Sequence, residues 1–344
     1  MKQNEAKLKE WKLLYKAFEE FKILECWQWI YDSDLFGFEN PDDKMIGYCC
    51  VLGKLGRFKG LAVYEGIEGL DSYLKICDDQ NHDVFNFIPK QKCLMASIEK
   101  PSQLEENDFK IIEQLGLQFA NDHYPLFRNH LPNYLPWYLT SYDVKFLTLA
   151  LEQTVDIATR AKNNKKLITK NEIEYLVRVF EKEQWQDKYI TPDNISNRTD
   201  SKKLNIPIIE NNLLDEVKKI KIDNQKIWEL SYISIPEPIQ ENDERPYYPY
   251  IIAIIVEDSV TPIGIEICDF KKTNIRLPAL FMNTCLENEY VPSKIIVNHE
   301  DIFELLQMIA KELKIKVSIH KKLKTLDPII KNLASIALAE QQII

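Results

Sequence analysis

The sequence predicts an α+β protein of two domains, and three observations carry that prediction. Near the N-terminus apolar residues recur at spacings of three and four, the period of a helix with one buried face. Seven of the nine glycines fall within residues 34–70, among short apolar runs, as in a small meander of strands and tight turns. Beyond residue 246 apolar runs and helical periods alternate in the order β-β-α-β-α-β-α, which predicts a sheet packed by helices with at least one parallel crossover. The expected divisions are an N-terminal α+β domain with a short antiparallel meander over 1–160, a helical and irregular connecting region over 161–245, and a C-terminal α/β domain over 246–344.

Taken in order, residues 5–31 predict a helix through Leu8, Trp11, Leu14, Tyr15, Phe18, Phe21 and Leu24, with lysines and glutamates on its other face. Three short strands are expected over 34–64, a helix from near Glu68, a strand at "CLMASIEK", and a helix that Gly116 closes. The prolines of "HYPLFRNHLPNYLPWYL" predict a stiffened linker, followed by a long helix capped by Ser141. "KNEIEYLVRVFEKEQW" reads as a short helix, the Asn-rich stretch after it as a loop, residues 210–221 as a helix and "IWELSYISI" as a strand. Pro236, Pro238, Pro246 and Pro249 mark a linker. Two strands around a turn then lead through "LPALFMNTCLENEY" (helix), "PSKIIVN" (strand), "HEDIFELLQMIAKELK" (helix) and "IKVSIH" (strand) to a terminal helix in "LDPIIKNLASIALAEQQ". This C-terminal order is compatible with a degenerate RNase H-like fold.

Composition narrows the function classes. With 45% apolar and 28% charged residues the chain is ordinary globular protein. The net charge of -9 argues against non-specific binding to nucleic acid or anionic lipid, which relies on a cationic face. The start lacks the apolar core of a signal peptide, so a cytoplasmic protein is expected. Seven cysteines without CxxC or Cys/His spacing predict buried free thiols, with no zinc site and no cofactor.

The stretch "WQWIYDSDLFGFENPDDKMIGYCCVLGKLGRFKGLAVYEGIEGL" resembles an uncharacterised bacterial family. Its members carry Trp-x-Trp, Asp-x-Phe-Gly, Asn-Pro, Gly-Tyr-Cys, a Leu-Gly pair and a "LAVY-G-EGL" segment. A second domain of unknown function is similar to residues 250–338. The resemblance implies a domain pairing and no particular chemistry. Arg57 stands where the pattern has an acidic residue.

The candidate sites follow from residue types. The glycines are too dispersed for a phosphate-binding loop, which needs them at one strand-to-helix junction, so "GKLGRFKG" reads as a hairpin turn. Trp27, Trp29, Phe36 and Tyr48 with Asp32 and Asp34 compose an aromatic and acidic set suited to a ligand or partner, against the plainer reading of a core cluster. Arg128 and Trp137 add a cation beside aromatics, suited to a carboxylate or phosphate, against a structural packing role. In the C-terminal region Glu257 and Asp258 end one strand, and Glu300 and Asp301 follow another within "VNHED". Such acids are metal ligands if they converge and helix-terminal charges if they do not. The function expected is a non-catalytic binding or interaction protein with an unidentified protein or small-molecule partner. The alternative is a metal-dependent nuclease or strand-transfer relative.

Overall fold

In a computed structural model, the described residues are 5–54, 56, 58–78, 90–120, 123–168, 174–191, 211–242 and 244–329. The chain divides into two compact units, one of residues 1–132 and 136–198, the other of residues 133–135 and 199–344. Among the described residues no helix is long and apolar enough to cross a membrane.

The first unit is a seven-stranded sheet. Its elements are α1 (Leu8–Leu24), β1 (Phe36–Glu39), β2 (Ile46–Leu52), β3 (Gly60–Glu65), α2 (Gly66–Asp78), β4 (Cys93–Glu99), α3 (Glu106–Gln114), β5 (Tyr124–His130), α4 (Ser141–Ala161), β6 (Tyr175–Glu181) and β7 (Gln184–Ile190). The strand order is β5-β4-β3-β2-β1-β6-β7, antiparallel except where β1 meets β6. The predicted meander is its centre. Because successive side chains on a strand point to opposite faces, Cys49, Val51, Leu61 and Val63 join the core shared with α1 and α4. Their neighbours Tyr48, Cys50, Ala62 and Tyr64 pack with Leu70 of α2 on the other face. Both faces are covered, which is why "GYCCV" is an unbroken buried run.

The glycines serve this packing. Gly66 turns the chain from β3 into α2 at φ 61°, and a Cβ on Gly69 would lie 2.7 Å from the Tyr64 carbonyl carbon. Lys54 lies over the Tyr31 ring at 4.9 Å and Lys59 over Trp27 at 5.4 Å, so two cations of the expected hairpin turn cover aromatic rings. Leu55 and Arg57 lie outside the described residues.

Three expectations are corrected here. The proline-bearing "YPLFRNH" is β5, paired along its length with β4, and an edge strand tolerates Pro125. The N-cap of α4 is Thr140, whose hydroxyl accepts from the Asp143 N–H, with Ser141 the first helical residue. "EYLVRVFEKEQW" is a hairpin, β6–β7, turning through Lys182 and Glu183 at φ 50° and 62°. Its β-branched Val177 and Val179 favour a strand, and Glu181, Lys182 and Glu183 lie at the exposed end of β6 and in the turn. The Asn-rich stretch lies outside the described residues from 192 to 210.

The second unit carries α5 (Asn211–Val217), β8 (Ile222–Ser234), β9 (Tyr250–Val256), β10 (Pro262–Cys268), α6 (Thr273–Asn288), β11 (Val291–Val297), α7 (Glu300–Leu313) and β12 (Lys316–Ile319). The sheet order is β10-β9-β8-β11-β12. β9 is antiparallel to β8 and β10, while β11 is parallel to β8 and β12. The strand "IWELSYISI" is therefore part of the central strand of this sheet rather than of a connecting region. Trp228, Leu230, Ile252, Ile254 and Val297 pack with α6 and α7 on one face. Ala253, Ile255 and Ile296 meet Leu323 and Leu326 on the other. Of the expected terminal helix, residues 326–329 are helical and the remainder lies outside the described residues.

Candidate functional site

At the carboxyl end of β8 the chain departs toward β9, and at the carboxyl end of β11 it departs through α7 toward β12. The connections after these parallel neighbours run in opposite directions, which makes this the switch-point crevice where open α/β sheets hold ligands; here the segment 323–327 lies over it, and Ser231 is fully buried. Ser231 of β8 and Asn298, just past β11, span it. The Ser231 hydroxyl donates to Asn298 Oδ1 at 2.7 Å, and the Asn298 amide donates to Asp327 Oδ1 at 3.5 Å. Asp327 Oδ2 accepts the Leu323 N–H at 2.9 Å. Two residues back on β8, Glu229 is 1% exposed and its Oε2 accepts the Thr325 and Leu326 N–H groups at 2.9 and 2.7 Å. These N–H groups open the helical turn at 326–329, where a carboxylate satisfies orphan donors.

The neighbouring side chain of β8 points to the opposite face. Tyr232 is stacked between Tyr250 and His299, with centroids 4.5 and 4.4 Å away and planes within 9° and 14°. Its hydroxyl donates to Asp301 Oδ2 at 2.7 Å, and Tyr250 donates to Asn133 at 2.8 Å. Burial, then the Asp301 carboxylate, raises the Tyr232 phenol well above its ordinary range, so it is a fixed donor. His299, half-buried, forms the outer ring of this stack.

The sequence-predicted residues are distributed differently. Trp27 is buried against Phe21, while Phe36 and Tyr48 are buried on opposite faces of the first sheet. The half-buried Trp29 donates its indole N–H to the Ala158 carbonyl at 3.1 Å. Asp32 is exposed and its backbone carbonyl accepts from Cys50 and Tyr73, while Asp34 closes a turn by accepting the Tyr31 N–H at 2.9 Å. Arg128 finds its carboxylate within the chain: Asp108 accepts two hydrogen bonds from it at 2.8 and 2.6 Å, and Tyr138 lies against the guanidinium. Trp137 pairs its backbone with Asn129 and extends the β5 edge. These residues therefore compose no shared exposed surface, because the sheet is covered on both faces and draws its aromatics inward.

The four candidate metal ligands are also separated. The Glu257 N–H bonds the Ile227 carbonyl, and Asp258 pairs with Lys324 at 2.8 Å. Glu300 and Asp301 lie in the first turn of α7, with Asp301 against Tyr232. Ile227 and Tyr232 are five positions apart on β8, roughly 17 Å at the strand rise. Among the described residues no group of three His, Cys, Asp or Glu side chains is placed to hold a metal ion. Six of the seven cysteines are buried and all are unpaired; burial pushes the Cys26, Cys49 and Cys285 thiols up to about 12, which leaves them protonated.

Glu229, Ser231 and Asp327 escaped the reading of the sequence. Glu229 left a signal: an acid in the middle of the apolar strand "IWELSYISI", where a charge is expensive unless the fold supplies donors.

No curated protein matches the chain. Family models for two domains of unknown function match it, over residues 11–178 and 213–334. The chain thus pairs a DUF7309 domain, which holds most of the seven-stranded sheet, with a DUF6930 domain, which holds the crevice between β8 and β11.

Proposed function

We propose that the protein is a non-catalytic binding protein of the cytosol, and that its second unit is a degenerate RNase H-like domain whose crevice recognises a partner. The observation that carries this reading is the chain Ser231–Asn298–Asp327 at the switch point. Two-metal chemistry needs several carboxylates around cations roughly 4 Å apart. Here one carboxylate faces an amide and a hydroxyl, and the nearby Glu229 is engaged by two backbone N–H groups. Such a donor set suits hydrogen-bonded recognition better than cation binding. Asn298 and His299, both half-buried, follow β11 on either side of this end of the sheet and are the residues a partner would touch.

The strand order, with β9 alone antiparallel, favours the nuclease or strand-transfer reading as the rival. Incubating the full chain with Mg²⁺ or Mn²⁺ and labelled DNA or RNA separates the two. The binding reading expects no cleavage; metal-dependent cleavage lost in Asp327→Ala would establish the rival. On the positive side, proteins captured by the wild type should be lost with Asn298→Ala and His299→Ala, and retention by both variants would remove the crevice from the account.

A further inference from the structure

The segment from Lys314 to Lys324 carries five lysines and no acid, in a chain whose net charge is -9. The second sheet sets part of that charge in order. β11 and β12 are parallel neighbours in which Lys294 faces Lys316 and Ile296 faces Ser318. Ile295, Val297 and Val317 pack into the core with α6 and α7, so by alternation Lys294, Lys316 and Ser318 share the opposite face. Adjacent strands lie about 4.8 Å apart, so the two lysine side chains leave the sheet side by side, and like charges at facing positions oppose the pairing. The apolar residues on the core face hold the register in spite of this. His320 follows on the same side, its Nε2 3.4 Å from the Ser318 hydroxyl, and the exposed Lys321 and Lys322 come next.

We propose that this face binds the phosphate backbone of a single-stranded nucleic acid. A lysine on an edge strand is ordinary protection against further pairing. That accounts for Lys316 on β12 but not for Lys294, which lies on the strand inside it. Nor does the chain neutralise the group: among the described residues Lys294, Lys316, Lys321 and Lys322 have no ion pair. The acids of this face are engaged or set apart. Glu229 and Asp327 accept N–H groups of the segment 323–326, Asp258 holds Lys324, and Glu257 is separated from Lys294 by the width of β8. The cations succeed one another along β12 and past its end instead of closing on one point, which suits a partner whose charges repeat along a line. The Ser318 hydroxyl, between Lys316 and Lys321, is a donor of the kind that bonds phosphate oxygens. The set contains no aromatic ring for bases to stack on, so its contacts are with the backbone and independent of sequence. The charge of the whole chain opposes a general coating by nucleic acid, but charges more than about 10 Å away are largely screened at 0.1 M salt, and a local strip of cations still attracts. This inference does not rest on the crevice between β8 and β11.

The test is fluorescence anisotropy of a labelled single-stranded oligonucleotide titrated with the full chain over a salt series. Binding is expected at low salt, with a slope of about -3 in log K against log salt for the four lysines. The charge reversals K294E/K316E and K321E/K322E should each weaken it roughly tenfold or more and bring the slope to about half. K9E/K12E makes the same change of charge at exposed positions of α1 and should leave binding within about twofold of the wild type. K316E alone sets opposite charges at the facing positions, so its urea midpoint should equal or exceed that of the wild type, and its loss of binding is then not a loss of fold. Absence of binding at low salt, or an equal loss in K9E/K12E, would overturn the proposal. So would poly-glutamate competing as well as unlabelled oligonucleotide, since the face would then take an acidic polypeptide.

Discussion

Arg128 sits on β5 with its guanidinium closed onto Asp108, and both side chains are nearly inaccessible, at 8% and 11%. Removing one partner strands the other charge in the interior, so Arg128→Ala should cost about 3–5 kcal/mol in urea unfolding; a loss below about 1 kcal/mol would contradict the buried pairing. Glu65 is a second such residue. Burial above all, with the Asp143 and Asp43 carboxylates, pushes its carboxyl up from 4.5 to about 7, against the pull of Lys92. The folded state then holds a proton that the unfolded state has released, so this group lowers stability as pH rises from about 4.5 to 7. Glu65→Gln should match the wild type at pH 4 and exceed it by about 2–3 kcal/mol at pH 8. An equal deficit at both values would place Glu65 in solvent. Individual roles were poorly legible in the sequence for a physical reason. Arg128 looked available to an external carboxylate because Asp108, 20 positions away, meets it only through tertiary structure.

Among elements, the amphipathic α1, the meander and the apolar strands from β9 onward were legible because their periods are strong and uninterrupted. The hairpin β6–β7 was not, since a turn built from Lys182 and Glu183 lacks the usual glycine or asparagine. Both residues occupy the left-handed region, which costs a side-chain-bearing residue about 1–2 kcal/mol. Glu183→Gly should therefore raise stability by about 1 kcal/mol, read as a higher urea midpoint at unchanged slope; a lowered midpoint would mean the side chain holds the turn. In α1, Phe18 is fully buried and meets Phe127 edge-on at 5.4 Å. Phe18→Ala should cost about 3–5 kcal/mol, whereas Ile23→Ala, 77% exposed on the same helix, should be nearly silent. Equal losses would put the wrong face of α1 on the sheet.

For the whole molecule, the division into two α+β units was readable from composition and pattern, but the boundary was not. The stretch taken for a connector gives the β6–β7 hairpin to one sheet and β8 to the other. Placing the β8 strand in a connecting region also hid the crevice, because Glu229 and Ser231 are carried by that strand. The acids noticed in the sequence sit at strand and helix ends, where solvent and helix termini explain them, and the groups that converge, Glu229, Ser231, Asn298 and Asp327, are held by hydrogen bonds to an amide, a hydroxyl and backbone N–H groups. The most direct measurement of that claim is calorimetric titration of the full chain with Mn²⁺. The account predicts no saturable binding at the crevice, with Asp327→Ala indistinguishable from the wild type. Two Mn²⁺ ions bound per chain, both lost in Asp327→Ala, would contradict it.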